Sequence, residues 1–347
     1  MIRPLHPNDA PGLYELFHEP SPLWCDHFGP DTSLASIRAF VDSTASQDHR
    51  FVAIRDNHLV GLGILRRFPR DRLTHSGEIS LLLPNKSAGN SVGQELLSAL
   101  LDLADNWLNL KRLEIALPTF STDLAALLNR YGFEAEGVMK KSIWFDGDFH
   151  DEIALVRLRD LDKNHPAKRP AFSTSDKKPA KLDPISMIIR QMADQDIGDL
   201  YQMFSSPENC RTTLQLPSLE LWVTRQRVLQ PPPGILRLVA VYDERVIGVI
   251  SLIPRPELCR SHIGRIGMMV HPDFWGQGIG SRLMTEILRL ADEMLGLKRV
   301  ELQVHTDNPA GIRLYEKSGF VIEGTKYFQN YGAGGWVDTH FMAHLIE

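Results

Sequence analysis

The sequence predicts a mixed α/β fold, present twice in one chain, and three observations predict it. Blocks of residues recur at one fixed offset; within each copy β-rich runs alternate with amphipathic helical stripes; and a polar, proline-rich stretch separates the copies. Ile2 of "IRPLHPNDAPGLYELF" lies 189 − 2 = 187 residues before Ile189 of "IRQMADQDIGDLYQMF". The same 187 relates "VAIRDNHLVG" from Val52 to "VAVYDERVIG" from Val239, and "LKRLEI" from Leu110 to "LKRVEL" from Leu297. It also relates Gly132 of "YGFEAEG" to Gly319 of "SGFVIEG". An unchanged offset over four blocks is the mark of a duplicated domain with little net insertion. Residues 160–186, rich in Lys, Pro and Ser and without apolar period, have the composition of a linker. The expected organisation is a domain at 1–159, a linker at 160–186 and a second domain at 187–347.

In the second copy, Ile197, Leu200, Tyr201 and Phe204 sit at helical spacing and predict a first helix with one apolar face. "LRLVAVYDERVIGVISL" predicts two strands around a polar "DER" turn. "IGRIGMMV" is a further strand, after which Leu283, Ile287, Leu290, Ala291 and Met294 mark one helix face. "KRVELQV" predicts a strand, "NPAGIRLYEKSGF" a helix ending at Gly319, and "WVDTHFMAHLI" a closing strand. Each copy is thus expected to carry a central mixed sheet flanked by helices.

At 347 residues the chain is long enough for two ordinary domains, and 43% hydrophobic with 23% charged residues is a globular balance. A formal net charge of −5 argues against a nucleic-acid partner held by bulk positive charge. No apolar run could span a bilayer and the start has no long apolar segment, so no membrane partner is expected. Cys25, Cys210 and Cys259 are scattered without metal-ligand spacing, which predicts reduced thiols, no metal and a cytoplasmic location.

The stretch "HPDFWGQGIGSRLM" places Gly276, Gly278 and Gly280 between a strand and a helix. Glycines there bring bare N–H groups to the positive end of a helix and form a cradle for an anion, although they also serve a tight turn. The loop lacks the Gly-Lys-Ser/Thr ending of a nucleoside-triphosphate loop. A dinucleotide Gly-x-Gly-x-x-Gly fails at Ser281 in one register and at Leu283 in the other.

The order of strand, "HPDFWGQGIGSRLM", strand "VELQVHTDN" and helix "PAGIRLYEKSGF" resembles the GNAT superfamily of N-acetyltransferases. With "CRTTLQLPSLELW" and the ending "VDTHFMAHL", residues 187–347 resemble its bacterial amino-acid N-acetyltransferase branch. The resemblance implies acetyl transfer from acetyl-CoA, a co-substrate, to the amine of a small molecule, with no metal. Its pyrophosphate loop, Arg/Gln-x-x-Gly-x-Gly/Ala, falls on Trp275 to Gly280, so Gly276, Gln277, Gly278, Ile279, Gly280 and Ser281 are the expected cofactor-binding residues. Trp275 stands where the family has Arg or Gln; the backbone cradle survives that change, the polar side chain does not.

Such a reaction must remove a proton from the amine, stabilise the carbonyl oxygen and protonate the leaving thiolate. The resemblance implies backbone N–H groups around Met269 and Val270 for the oxygen, Tyr315 as the acid for the thiolate and Asn308 as a contact to the pantetheine arm. Tyr315 also fits simple packing beside Ile312 and Leu314, and Asn308 before Pro309 is a favoured helix start. Glu301, Gln303 and His305 alternate on one strand and share a face, so Glu301 is the candidate base, with His305 as the other choice.

Subtracting 187 turns Trp275 into Ala88, Gln277 into Asn90, Gly278 into Ser91, Asn308 into Ser121 and Tyr315 into Leu128; Gly89 and Gly93 remain. The stripe Leu96, Leu100, Leu103, Ala104 and Trp107 persists, so the first copy is expected to keep the scaffold without the chemistry. Two other functions stay open: N-terminal acetylation of peptides or proteins, and a non-catalytic acyl-CoA-responsive binding module. The chain is expected to be a monomer, a pseudo-dimer by duplication, or a homodimer.

Overall fold

The computed structural model describes residues 1–17, 28–29, 31–43, 48–83, 91–162, 169 and 186–347. Cys25, Ala88, Gly89, Asn90 and most of the expected linker lie outside these described residues. Contacts divide the chain into two units, the first being Met1–Pro166 with Glu257–Arg260 and Tyr327–Gln329. The second is Ala167–Pro256, Ser261–Lys326 and Asn330–Glu347.

The first unit begins with β1 (Ile2–Pro4), α1 (Ala10–Leu16) and α2 (Leu34–Asp42). The strands β2 (Asp48–Arg55), β3 (His58–Arg67) and β4 (Ser76–Leu82) lead to α3 (Ser91–Asp102). Then come β5 (Arg112–Pro118), α4 (Thr122–Arg130), β6 (Glu134–Phe145) and β7 (Asp148–Leu158). Its strand order is β1-β2-β3-β4-β5-β7-β6, with β4 and β5 the parallel neighbours. One face buries Leu96, Leu97 and Leu100 of α3 with Ile79 and Leu113; the other buries Leu13 and Ile37 with Val52 and Leu62. Trp107 leaves the predicted stripe and is 77% exposed. Leu103–Trp107 form a π-helical turn, whose wider winding rotates the following side chains off the α-helical face.

The second unit repeats this order. It runs through β8 (Ile188–Gln191), α5 (Ile197–Ser205), α6 (Pro207–Thr212), α7 (Leu221–Leu229), β9 (Leu236–Tyr242) and β10 (Arg245–Pro254). There follow β11 (Ile263–Val270), α8 (Ile279–Glu293), β12 (Arg299–His305), α9 (Pro309–Lys317), β13 (Val321–Gly332) and β14 (Gly335–Leu345). The strand order is β8-β9-β10-β11-β12-β14-β13. The predicted "DER" turn has Asp243 and Glu244 both at positive φ (49° and 60°), the geometry of the primed turns that match strand twist.

Leu283, Met284, Ile287 and Ala291 of α8 pack on Ile250, Leu252, Val300 and Leu302, burying one face of the sheet. Leu200 and Met203 of α5 and Val228 of α7 cover the other face over Val239, Val249 and Met269. Met294, predicted on the α8 stripe, is the C-cap and is 70% exposed, because the helix has ended. β13 leaves no periodic signal in the sequence, because its register shifts twice and its apolar residues follow no clean alternation.

Candidate active site

The parallel ladder between β11 and β12 is short. Ile263 pairs with Arg299, Gly264 with Val300 and Arg265 with Glu301, and there the register ends, so the two strands part beyond it. One edge of β11 from Ile266 onward is therefore left without a strand partner on the β12 side. Which backbone groups face that opening follows from the ladder to β10. Arg255 N–H donates to Ile263 O and His271 N–H donates to Ile247 O, so odd-numbered residues of β11 turn their backbone toward β10. By the two-residue alternation of a strand, Met268 and Val270 turn theirs toward the opening. Val270 turns its backbone N–H to the opening. Met269 does not: its backbone belongs to the β10 ladder and Met268 takes its position, a parity that needs the register and not composition.

The loop after β11 has Gly276 at φ 76° and Gly278 at φ 79°, Gly278 being the N-cap of α8. Both conformations are left-handed and costly for residues with a Cβ, and a Cβ at either glycine would meet nothing within 4 Å, so the concave side is open. Ile279, Gly280 and Ser281 open α8, where no preceding turn can accept their N–H groups. Ile279 is buried on the sheet, and Gly280 lets α8 approach α9 so closely that a Cβ would lie 2.9 Å from Leu314 Cδ1. Gln277 is half-buried within the same loop. A pyrophosphate fits this cradle by its chemistry: clustered N–H donors at the positive end of a helix. Trp275 plays a different part. Its indole Nε1 donates to Val270 O at 2.9 Å, tying the loop to the end of β11.

Beside the cradle, α9 starts at Asn308, whose Oδ1 accepts from Gly311 N–H at 3.1 Å as an N-cap. Seven residues on, Tyr315 is half-buried against the α8-side core, its ring 6.1 Å from that of Phe320. Its hydroxyl has no hydrogen-bond partner among the described residues, and burial pushes the phenol up to about 12. In the first copy Leu128 is wholly buried, and Ser121 makes no capping bond.

Glu301 is not poised as a base. Arg299, 1% exposed, forks on Glu323 at 2.8 and 2.6 Å and reaches Glu301 at 3.2 Å; Arg265 stands 3.5 Å from the same carboxylate. Burial alone would raise the Glu301 carboxyl, but the charges of Arg299, Arg265 and Arg255 outweigh it and hold it below the usual range. The first copy has the same triad at the same offset: Arg112 binds Glu136 at 2.7 and 2.6 Å and Glu114 at 3.0 Å. A charge triad kept in both copies is accounted for by the scaffold.

At the far end of that strand, His305 is 4% exposed and is held at both nitrogens. Asn330 Nδ2 donates to Nε2 at 3.1 Å, which leaves the proton on Nδ1, 3.2 Å from Arg211 O. Asn330 also donates to Thr339 Oγ1 at 3.0 Å. The residue that sequence reasoning missed altogether is Arg169, which reaches this group from before β8.

A family model described as Acetyltransferase (GNAT) family matches residues 198–320, and one described as Acetyltransferase (GNAT) domain matches residues 1–134. The L-amino acid N-acetyltransferase AaaT of Escherichia coli (strain K12) is 34% identical over 161 residues, 46% of this chain and 98% of that protein. The chain belongs to the GNAT acetyltransferase family. It is a tandem GNAT protein, with one domain in each half, and an enzyme, an N-acyltransferase; the reading as a non-catalytic module is set aside. Among other GNAT relatives, the uncharacterized N-acetyltransferase YoaA of Bacillus subtilis (strain 168) is 29% identical over 166 residues, 46% of this chain and 93% of that protein. A crystal structure of a GNAT acetyltransferase from Streptococcus pneumoniae aligns with 24% identity and a TM-score of 0.42, over 46% of this chain and 99% of that one.

Proposed function

We propose that the second copy transfers the acetyl group of acetyl-CoA to the primary amine of a small molecule, an L-amino acid first among candidates. One observation carries the reading: the parting of β11 and β12, the glycine cradle and the Tyr315 phenol meet in this copy. Similarity to an L-amino acid N-acetyltransferase over 98% of its length supports the acceptor class, and a spermidine N(1)-acetyltransferase of Vibrio cholerae, 31% identical over 82 residues, keeps polyamines in the test.

Acetyl-CoA, as substrate, brings an activated carbonyl. The pyrophosphate would lie on the N–H groups of 276–281, and the pantetheine arm would run along the free edge of β11. The Val270 N–H, turned to the opening, would donate to the carbonyl oxygen as charge grows there. The amine nitrogen then bonds to the carbonyl carbon, the carbon–sulfur bond breaks, the nitrogen loses a proton to water, and the departing thiolate takes one from the same solvent. Tyr315, the tyrosine that matches the family register, would hydrogen-bond the departing sulfur. With Glu301 locked by arginines and His305 paired at both nitrogens, the amine is best delivered neutral or deprotonated through solvent. The acceptor would be held on the face of β12 covered by α5, α6 and α7, away from α8.

The test pairs calorimetry of acetyl-CoA on the full chain with a thiol-release assay across the standard L-amino acids and spermidine. Micromolar binding and release with at least one amine are expected. Binding without release by any of them would overturn the acceptor class, and absence of binding would overturn the reading.

A further inference from the structure

The duplication supplies an internal control. Residues kept in both copies explain the scaffold, whereas polar residues that only one copy has acquired point to what that copy does. The Arg299–Glu301–Glu323 triad is kept; the group around His305 is not. By the same offset, His305 answers to Pro118, Asp307 to Phe120, Asn330 to Ile143 and Thr339 to Glu152. Drift among apolar residues does not turn Pro, Phe and Ile into His, Asp and Asn, and two of the three polar residues, His305 and Asn330, are buried.

One member of this group comes from outside the repeat. Arg169 precedes β8, in the stretch whose composition predicted only a connector. Its side chain is 0% exposed. Nε and Nη2 fork on the two oxygens of Asp307 at 3.0 and 2.6 Å, and Nη1 donates to Arg211 O at 2.6 Å. Nη2 also lies 3.4 Å from His305 Nδ1, and the Arg211 guanidinium lies 3.7 Å from Asp307. A guanidinium withdrawn from water is tolerated only when paired, and the planar fork is the geometry that Arg can supply and Lys cannot. The two anchors belong to different elements. Asp307 sits directly before Asn308, the N-cap of the helix that carries Tyr315; Arg211 sits in α6, on the face where the acceptor is expected.

We propose that Arg169 is a positioning residue of the second copy's acceptor side, a clamp holding α6 against the turn that starts α9. The inference rests on the reading of this copy as the catalytic one. The clamp keeps the acceptor wall and the phenol in one relative geometry, and misplacement by an ångström is enough to cost about 100-fold in a reaction that depends on alignment. Arg169 is thus part of the site, and a fragment starting at residue 187 lacks it.

The experiment uses the full chain with Arg169→Ala, Arg169→Lys and Asp307→Asn, assayed with acetyl-CoA and the best amine of the panel. Arg169→Ala should raise the amine KM about 10-fold or more and leave the acetyl-CoA Kd within about two-fold. Arg169→Lys should recover part of the loss, and millimolar guanidinium, but not tetramethylammonium, should partly restore Arg169→Ala. Hydrogen exchange gives a readout that needs no turnover: amides of α6 and of the first turn of α9 should exchange faster together in Arg169→Ala and in Asp307→Asn. Unchanged exchange in both segments would overturn the clamp. So would an unchanged amine KM in an active enzyme, or losses in coenzyme and amine binding of equal size without guanidinium rescue. A wild-type protein that acetylates no amine would sink the catalytic reading instead, and the exchange result would then decide the clamp alone.

Discussion

Tyr315 and Glu301 entered as two candidate catalytic residues, and their surroundings separate them. Burial raises the phenol to about 12 while a thiol lies near ~8.5, so complete proton transfer would be uphill by roughly 5 kcal/mol. Donation of a hydrogen bond to the departing sulfur does not meet that barrier. Tyr315→Phe should lower kcat about 10- to 100-fold and leave acetyl-CoA affinity, measured by calorimetry, within about two-fold. A near-wild-type rate would return Tyr315 to the core it packs against. Because the donor form exists below the phenol pKa and is lost as pH rises through it, the rate should show no loss belonging to Tyr315 below about pH 11. Glu301 behaves oppositely. Its carboxyl is held below the usual range, so its stabilising charge is fully present above the unfolded value near ~4.3 and is lost as pH falls through the folded one. Glu301→Gln should keep turnover within about three-fold and destabilise the fold by about 1–3 kcal/mol in urea titrations. A hundred-fold loss of turnover in a stable variant would reinstate it as the base.

At the scale of elements, the site is a matter of how a strand ends and a helix begins. The end of β11 offers backbone groups because β12 diverges after Arg265↔Glu301, and α8 offers N–H groups because Gly278 adopts a left-handed N-cap. Gly278→Ala places a Cβ in open space yet strains the backbone by about 1–2 kcal/mol, while Gly278→Glu adds a negative charge where a pyrophosphate would sit. The acetyl-CoA Kd should therefore rise modestly in the first variant and by an order of magnitude more in the second, both remaining folded by circular dichroism. Equal effects would mean that backbone strain, not charge, governs the cradle. Trp275 belongs to this scale too: its indole is committed to Val270 O and braces the loop from within.

For the whole molecule, duplication has produced two GNAT domains with unlike contents. The first keeps the short parallel ladder, Ser76↔Arg112 to Glu78↔Glu114, and the charge triad, but has Leu128 buried where the phenol would be. Its loop residues Ala88, Gly89 and Asn90 lie outside the described residues, so the asymmetry rests on Leu128 and Ser121. Combining Gly278→Glu with Tyr315→Phe in the full chain should reduce thiol release to background for every amine the wild type accepts. Substantial residual acetylation would make the first copy an enzyme in its own right.

By itself, the sequence determined the repeat, most of the strands and helices in their chain order, the glycine turn before α8 and the α9 cap, because each is written in local period, turn residues or a constant offset. It erred where a helix ceased to be regular, at Trp107 in a π-helical turn and at Met294 past a helix end. Only the tertiary structure decided that Met268 and not Met269 faces the opening, since strand parity is set by hydrogen bonds to β10. Which cations hold Glu301 was likewise decided in space: Arg265, 36 positions before it in the chain (301 − 265), stands beside it. Arg169 and Asp307 are 138 residues apart, with no periodicity to relate them. A contact of that separation leaves no local trace in the chain, and it exists only because the folded second unit brings a helix end and a turn to the buried Arg169 side chain.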